Sequence, residues 1–338
     1  MAKEEKRYDR QNILSQWNEG TQENLENSRI VIVGCGALGT NTSATLARAG
    51  VGELTLVDRD FVELSNLHRT ALYNEEDVGR AKANVIHERI EEINSTVSTE
   101  ALPTDLDPLN AERVLGGHDL ILDCTDNLLT RYLINDFAVK FEVPWIYAAV
   151  IETTGMTMNI SPGEGPCFRC LFPERPPSGT LPTCDTAGVI NTIPKVISAL
   201  QSTEAIKCLD GREVNTDTLL NFDVWARDLS TINIERNDEC ICCGEGEYQF
   251  LESEVGQTSH SVCGREAIQI NPHREDEIDL KGLAKKLRGL GEVEARDVLL
   301  RFEVEDYRIN VFRDGRAIIE GTEEEKVARS LYSKYIGN

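Results

Sequence analysis

Along the first 150 residues, short apolar runs alternate with stretches of helical periodicity. Arg29–Val33 (RIVIV), residues 53–58 (ELTLVD), 119–124 (DLILDC) and 144–150 are too short for helices and rich in branched residues, so they read as buried strands. A weaker strand is expected at 97–101. Between them, residues 9–27, an Ala-rich stretch ending at Ala49, 77–94, 108–115 and 127–141 read as helices. In 77–94, Val78, Lys82, Ile86, Ile90 and Ile93 recur at helical spacing. This alternation predicts an α/β fold: a Rossmann-like, doubly wound, mostly parallel sheet with helices on both faces.

After Val150 the pattern changes. Residues 154–160 and 219–223 read as strands of an antiparallel extension, separated by a Pro/Gly-rich loop (161–188) and an apolar helix (about 189–210). A loop of that length inside a compact domain points to function. From about residue 252 the text is α+β: strands at 266–270, 298–303, 306–312 and 316–320, and helices at 279–287 and 323–335. Two domains are expected, residues 1–250 and a small α+β unit of residues 251–338.

Composition narrows the function classes. With 40% hydrophobic residues, the 338-residue chain has enough apolar surface for a core, which excludes global disorder. Acids outnumber bases 58 to 35, for a net charge of −23, which argues against nucleic-acid binding and against docking on an anionic membrane. No run of about 18 apolar residues exists, and the N-terminus (MAKEEKRYDRQ) lacks a signal-peptide core, so a cytoplasmic protein is expected. In that compartment the ten cysteines serve as metal ligands, nucleophiles or packing residues rather than as disulfides.

Gly34, Gly36 and Gly39 form G-x-G-x-x-G between a strand and a helix, and Asp58 ends the next strand 19 residues after Gly39. The glycines let backbone turn, approach phosphate and pack against the strand. The helix N-terminus offers free N–H groups to an anion, and Asp58 is placed to accept from a ribose hydroxyl. Alone, the pattern favours NAD. Asn66 and Arg69 in DRDFVELSNLHRT (58–70), with Lys82 opening the next helix, favour a triphosphate instead, because hydride transfer has no need of cations there. Asp126, in DCTDN just past a strand's carboxyl end, suits Mg²⁺.

Two C-x-x-C pairs, Cys167/Cys170 and Cys240/Cys243, are separated by 69 residues and sit in turn-rich text. Together they fit one tetrahedral structural Zn²⁺, although Cys242 is a spare thiol beside the second pair. Cys184 lies in the long loop just before an apolar helix, where a thiolate is favoured. Cys35, Cys124, Cys208 and Cys263 read as packing residues.

The segments RYDRQ (7–11), GCGALG (34–39), AGVGELTLVDRDFVELSNLHR (49–69), VGRAKA (78–83), DCTDN (123–127), PCFRC (166–170), TCDTAGV (183–189) and CICCG (240–244) together resemble the ThiF/MoeB group, prokaryotic relatives of ubiquitin-activating enzymes. SVCGREAIQI (261–270), FRDGRAIIEGT (312–322) and SLYSKYIG (330–337) are similar to the tail of longer ThiF-like members. The resemblance implies a nucleotidyltransferase that uses ATP and Mg²⁺ to adenylate the C-terminal Gly-Gly carboxylate of a small β-grasp sulfur-carrier or ubiquitin-like protein. It assigns the glycine loop to the nucleotide, Asp58 to the ribose, and Asn66, Arg69 and Lys82 to the phosphates. Asp126 goes to Mg²⁺, and Cys184 to acyl transfer or a sulfur relay. Arg10 matches the arginine supplied across a homodimer to the partner's ATP. One departure is Thr70, where the family usually has Gln. No rhodanese-like domain follows, so a separate sulfur donor is expected. Thiamine, molybdopterin, tRNA thiolation and protein tagging all share this chemistry, with the tail leaning toward the thiamine branch. The competing readings are a non-catalytic ATP-binding scaffold of the same family and an NAD-dependent oxidoreductase.

Overall fold

The computed structural model describes residues 7–18, 20–176, 184–253, 259–261, 267–270, 278–295, 299–313, 315–322 and 324–337. The elements are α1 (Asp9–Asn12), α2 (Thr21–Glu26), β1 (Arg29–Val33), α3 (Ala37–Ala49), β2 (Glu53–Val57), α4 (Lys82–Ile93), β3 (Ser98–Leu102), α5 (Ala111–Leu115), β4 (Leu120–Asp123), α6 (Leu128–Phe141), β5 (Trp145–Ile151), β6 (Thr154–Ile160), α7 (Phe168–Leu171), α8 (Cys184–Ala187), α9 (Ile193–Leu209), β7 (Thr218–Asp223) and β8 (Asp228–Asn233). Then follow β9 (Ser259–Ser261), β10 (Ala267–Ile270), α10 (Leu280–Leu287), β11 (Glu292–Ala295), β12 (Leu299–Val304), β13 (Tyr307–Phe312), β14 (Ala317–Glu320) and α11 (Glu325–Tyr335). Two compact units emerge: residues 1–176 with 187–253, and residues 177–186 with 254–338. The sequence pattern changes near residue 251, and the units divide after Ser253.

The first unit carries an eight-stranded sheet in the order β3-β2-β1-β4-β5-β6-β7-β8. β3 through β5 are mutually parallel, and β6, β7 and β8 add antiparallel strands. β1 shows why its sequence is an unbroken apolar run. Ile30 and Ile32 face one core with Leu46 of α3, Ile86 and Ile90 of α4 and Ile197 of α9. Val31 and Val33 face the other, with Val114 of α5 and Leu133 and Phe137 of α6. A central parallel strand is buried on both faces, so alternation disappears. The result is the expected doubly wound sheet with its antiparallel extension. The second unit has a six-stranded antiparallel sheet, β11-β12-β13-β14-β10-β9, whose core holds Leu283, Leu287, Phe302, Ile309 and Leu331.

Several expected boundaries move, for physical reasons. The single helix expected over 9–27 is two short helices: α1 stops at Asn12, and α2 starts anew after Gly20, whose left-handed conformation (φ 103°) marks its N-terminal boundary. The helix expected from residue 77 begins at Lys82. Residues 79–82 instead hydrogen-bond to the chain near Val62: Gly79 N to Val62 O, Val62 N to Arg80 O and Lys82 N to Asp60 O. The expected 161–188 loop contains both α7 and α8. β8 and β11 were invisible as strands because they are exposed edges. Leu229 and Ile232 of β8 point to solvent, so no half-buried alternation marks the strand.

Candidate active site and metal centre

The carboxyl end of the parallel sheet gathers the nucleotide-binding candidates. β1 ends at Val33, and Gly34 turns the chain with φ +98°. A Cβ on Gly34 would lie 2.5 Å from the Cys124 carbonyl oxygen, and one on Gly39 would lie 2.0 Å from the Gly34 carbonyl oxygen. These two glycines let helix and strand meet. A Cβ on Gly36 would meet nothing within 4 Å, so this side of the loop opens outward. Gly36 is the residue before α3, whose first turn carries no acid. Its leading N–H groups have no intrahelical acceptor and are available to an anion.

Asp58 sits beneath this loop. One carboxylate oxygen accepts from Cys35 N at 2.6 Å, the other from Asp60 N at 2.7 Å. Burial raises its pKa, and the nearby Lys82 charge works against that rise. Each oxygen keeps a further lone pair for a ligand hydroxyl. Lys82 donates to Asp60 at 3.2 Å, and its side chain is only 12% exposed. Burial disfavours its charge, but the carboxylates of Asp60, Asp58 and Asp126 outweigh it and push its pKa above the ordinary lysine value. Lys82 is thus a near-buried, firmly protonated cation beside the glycine loop. Asp126, on the turn after β4, is exposed.

Asn66 and Arg69 belong to the segment after β2, built on a 3-10 turn (Leu64–Asn66). Asn66 is buried, and its Oδ1 accepts from Glu63 N. Arg69 is half-buried and donates to the Ser65 carbonyl at 2.7 Å. Thr70 turns its hydroxyl back onto the Asn66 carbonyl at 3.1 Å, a local bond in place of the reach of Gln. Among the described residues no hydrogen bond or ion pair joins Asn66 or Arg69 to the Lys82 cluster. Arg10 is exposed on α1, and among the described residues no hydrogen bond or ion pair joins it to that cluster. Its segment is pinned by Tyr8, whose hydroxyl accepts from the buried Asn94, and by Gln11, which donates to the Ala49 carbonyl. Cys184 opens α8, and its side chain lies outside what the structure describes, as does Cys263. Cys35 and Cys124 are buried, and burial raises both thiols, which leaves them as packing residues. Cys208 is half-buried on α9, its thiol likewise raised by burial.

Sequence reasoning passed over the residues that build the site from behind. Arg59 pairs with Asp105 at 2.8 Å, and its charge is also favoured by Asp60 and Asp126. Asp123 and Arg131 form an ion pair at 2.9 Å beneath the turn that carries Asp126. The motif DCTDN contains Asp123, but nothing in a single sequence distinguishes its buried acid from its exposed one.

Cys167, Cys170, Cys240 and Cys243 converge, with all four Sγ atoms within 4.8 Å of one another. The Sγ–Sγ distances are 4.0 Å for Cys167–Cys170, 3.6 Å for Cys167–Cys240 and 3.5 Å for Cys170–Cys243. A regular tetrahedron of thiolates about 2.3 Å from zinc has edges of about 3.8 Å, so the cage fits the ion in size and in donor type. Cys242, the spare thiol, is fully buried and excluded from this set. It accepts instead from Asn135 Nδ2 of α6 at 3.2 Å, while Asn135 Oδ1 accepts from Phe168 N at 2.8 Å. Asp136 receives Phe250 N at 2.7 Å. Asn135 alone thus ties the chain beside Cys167 to the chain beside Cys243, while Asp136 next to it holds the segment that follows the cage.

The family model of the ThiF family matches residues 8–242, a span holding the glycine loop, the Lys82 cluster and three of the four cage cysteines, with Cys243 just beyond it. The chain belongs to the ThiF family. Its ThiF relatives include the sulfur carrier protein ThiS adenylyltransferase of Bacillus subtilis, 38% identical over 336 residues, covering 98% of this chain and 99% of that protein. The SAMP-activating enzyme E1 of Haloferax volcanii is 39% identical over 248 residues, covering 73% of this chain and 91% of that one. Among solved structures, E. coli MccB has the same fold over 72% of this chain and 74% of its own, with a TM-score of 0.64 at 23% identity. Among the described residues of this ThiF-family chain, no helix is long and apolar enough to cross a membrane.

Proposed function

We propose that this chain is an ATP-dependent adenylyltransferase that activates the C-terminal carboxylate of a small ubiquitin-like sulfur-carrier protein. The observation that carries the reading is Lys82: a cation held protonated among three carboxylates, beside open helix-terminal N–H groups at the carboxyl edge of a parallel sheet. Such a site suits a triphosphate better than a nicotinamide. The relative of B. subtilis, matched along its whole length, is named for this reaction on ThiS.

In this reading the amides of the Gly34–Gly39 loop hold phosphate, and Asp58 accepts from a ribose hydroxyl. Lys82 leaves its pairing with Asp60 to meet the phosphates, joined by Asn66 and Arg69. Asp126 would hold Mg²⁺, a hard cation that neutralises phosphate charge when bound. An oxygen of the carrier carboxylate forms a bond to the α-phosphorus. The bond from that phosphorus to the bridging oxygen breaks, and its electrons leave with pyrophosphate. The products are an acyl-adenylate and pyrophosphate. Catalysis of this kind is positioning and charge stabilisation, which fits a site of cations and amides without a general base. Arg10, exposed on a pinned segment, reaches the ATP of a second copy in a homodimer. Cys184 takes the acyl group or relays sulfur from a separate donor. The cysteine cage holds a structural Zn²⁺, and the protein works in the cytoplasm.

The test is carrier-dependent exchange of labelled pyrophosphate into ATP. Exchange with a Gly-Gly carrier supports the reading. ATP binding without exchange for any carrier would make the chain a scaffold, and nicotinamide binding without ATP binding would make it an oxidoreductase. The H. volcanii relative, named for SAMP activation, favours a second reading in which the activated carrier is attached to proteins. Mass spectrometry of carrier products in the native cell separates thiocarboxylate from isopeptide conjugates.

A further inference from the structure

We propose that Arg131, seated on the buried carboxylate of Asp123, is the positioning residue that presents Asp126 to the divalent cation of the nucleotide substrate. The inference rests on the nucleotide reading above and adds a residue to it.

Asp126 is the exposed residue of a turn whose other parts are tied down. Arg131 reaches back from the first turns of α6, and its Nε donates to Asp123 Oδ2 at 2.9 Å. One of its terminal nitrogens donates to the Thr125 carbonyl at 2.5 Å and to the Ala148 carbonyl of β5 at 3.1 Å. The guanidinium also lies 5.1 Å from the centre of the Tyr147 ring. The remaining oxygen of Asp123 accepts from both Thr125 N and Thr125 Oγ1 at 2.9 Å. Thr125 Oγ1 is also 3.3 Å from the Asn127 carbonyl, and Asn127 Oδ1 caps α6 by accepting from Leu129 N. On one side of Asp126, Thr125 is thus fixed through an ion pair almost wholly out of water, and on the other Asn127 is fixed by its cap on α6.

The Asp123 backbone is fixed as well. Gln201 of α9, fully buried, donates to the Asp123 carbonyl at 2.9 Å and to the Ile146 carbonyl at 3.2 Å. The fork of a guanidinium is what this geometry needs, since it bridges the Asp123 carboxylate of β4, the Thr125 carbonyl of the turn and the Ala148 carbonyl of β5 at once. A buried ion pair is weak evidence for stability. Here its hydrogen bonds converge on the turn that bears the exposed Asp126, whose charge is felt by Lys82. A displacement of about 1 Å at a reacting centre can lower a rate roughly 10²-fold, which sets the expected effect of loosening the turn.

The experiment uses the full chain with Arg131→Gln and Arg131→Lys, and with the neutral pair Asp123→Asn/Arg131→Gln, which leaves no unpaired charge. Folding is checked by circular dichroism. Mn²⁺ binding in the presence of a non-hydrolysable ATP analogue is read by electron paramagnetic resonance, and nucleotide binding is read separately without divalent ion. Folded Arg131→Gln should bind Mn²⁺ roughly 10- to 100-fold more weakly, in the range for loss of an outer-shell partner. It should exchange pyrophosphate roughly 10²-fold more slowly, with metal-free nucleotide binding within about twofold of the parent and Arg131→Lys recovering part of the loss. Should Arg131→Gln fail to fold, the neutral pair is read by the same criteria. Wild-type Mn²⁺ affinity in a folded variant, or an equal loss of metal-free nucleotide binding, would overturn the inference. A parent chain that binds no Mn²⁺–nucleotide would refute the nucleotide reading itself, and this inference with it.

Discussion

Replacing Asn135 with alanine asks whether the cysteine cage is held from outside its ligands. The side chain is fully buried on α6 and bridges the two arms: it accepts from Phe168 N, next to Cys167, and donates to Cys242 Sγ, next to Cys243. Phe168 is itself fully buried among Tyr132, Trp145 and Tyr147, so its N–H has no route to water when the acceptor goes. An unsatisfied buried donor costs about 1–3 kcal/mol, and the bond to sulfur adds less than that. The total expected loss is about 2–4 kcal/mol of folding stability, within the range for a broken buried network. Loss of an outer-shell partner also weakens metal affinity roughly 10- to 100-fold. Urea unfolding should show a lower midpoint at unchanged slope, and competition with a chromophoric chelator should show faster and fuller zinc release. A midpoint and a chelator curve that both match the parent would mean that α6 does not brace the cage, and the structural reasoning would fail.

Three further outcomes follow from the geometry. Gly39→Ala should destabilise the fold by a few kcal/mol, measured by thermal melting, because its Cβ would lie 2.0 Å from the Gly34 carbonyl oxygen; Gly36→Ala, facing open space, should melt like the parent yet bind ATP more weakly. Cys184→Ala should leave carrier-dependent pyrophosphate exchange largely intact while blocking sulfur or acyl transfer, seen as loss of thiocarboxylate product by mass spectrometry; loss of exchange in a folded protein would refute the assigned role. The pKa of Lys82 is raised, so its ion pairing stabilises the fold fully below the ordinary lysine value of about 10.4 and loses that contribution only as pH climbs through the higher folded value. Exchange rates between about pH 7 and 9 should therefore show no lysine titration, and a midpoint in that range that disappears in Lys82→Arg would contradict this.

Local signals were legible wherever the chain obeys a local rule. RIVIV, buried on both faces of a parallel sheet, reads as a strand from its unbroken apolar run. The glycine loop reads as a phosphate loop because only glycine tolerates those close approaches. Edge strands β8 and β11 were lost because their side chains face water, which removes the alternation that marks a half-buried strand. In place of the long helix expected at 9–27, α1 ends at Asn12 and α2 begins only after the left-handed Gly20.

The amino-acid order by itself determined the fold class, the glycine turn between β1 and α3 and the two C-x-x-C turns, since each depends on residues close together in the chain. The C-x-x-C spacing also marked Cys242 as the spare thiol, but only the tertiary structure decided what occupies it: Asn135, more than 100 residues earlier, donates to its sulfur. The same holds for the acids of DCTDN. Asp123 becomes a buried support and Asp126 an exposed ligand candidate because β4 ends between them, with Arg131 folded back beneath the turn. Burial and partnership are properties of what packs around a residue, and that surrounding is supplied by distant parts of the chain.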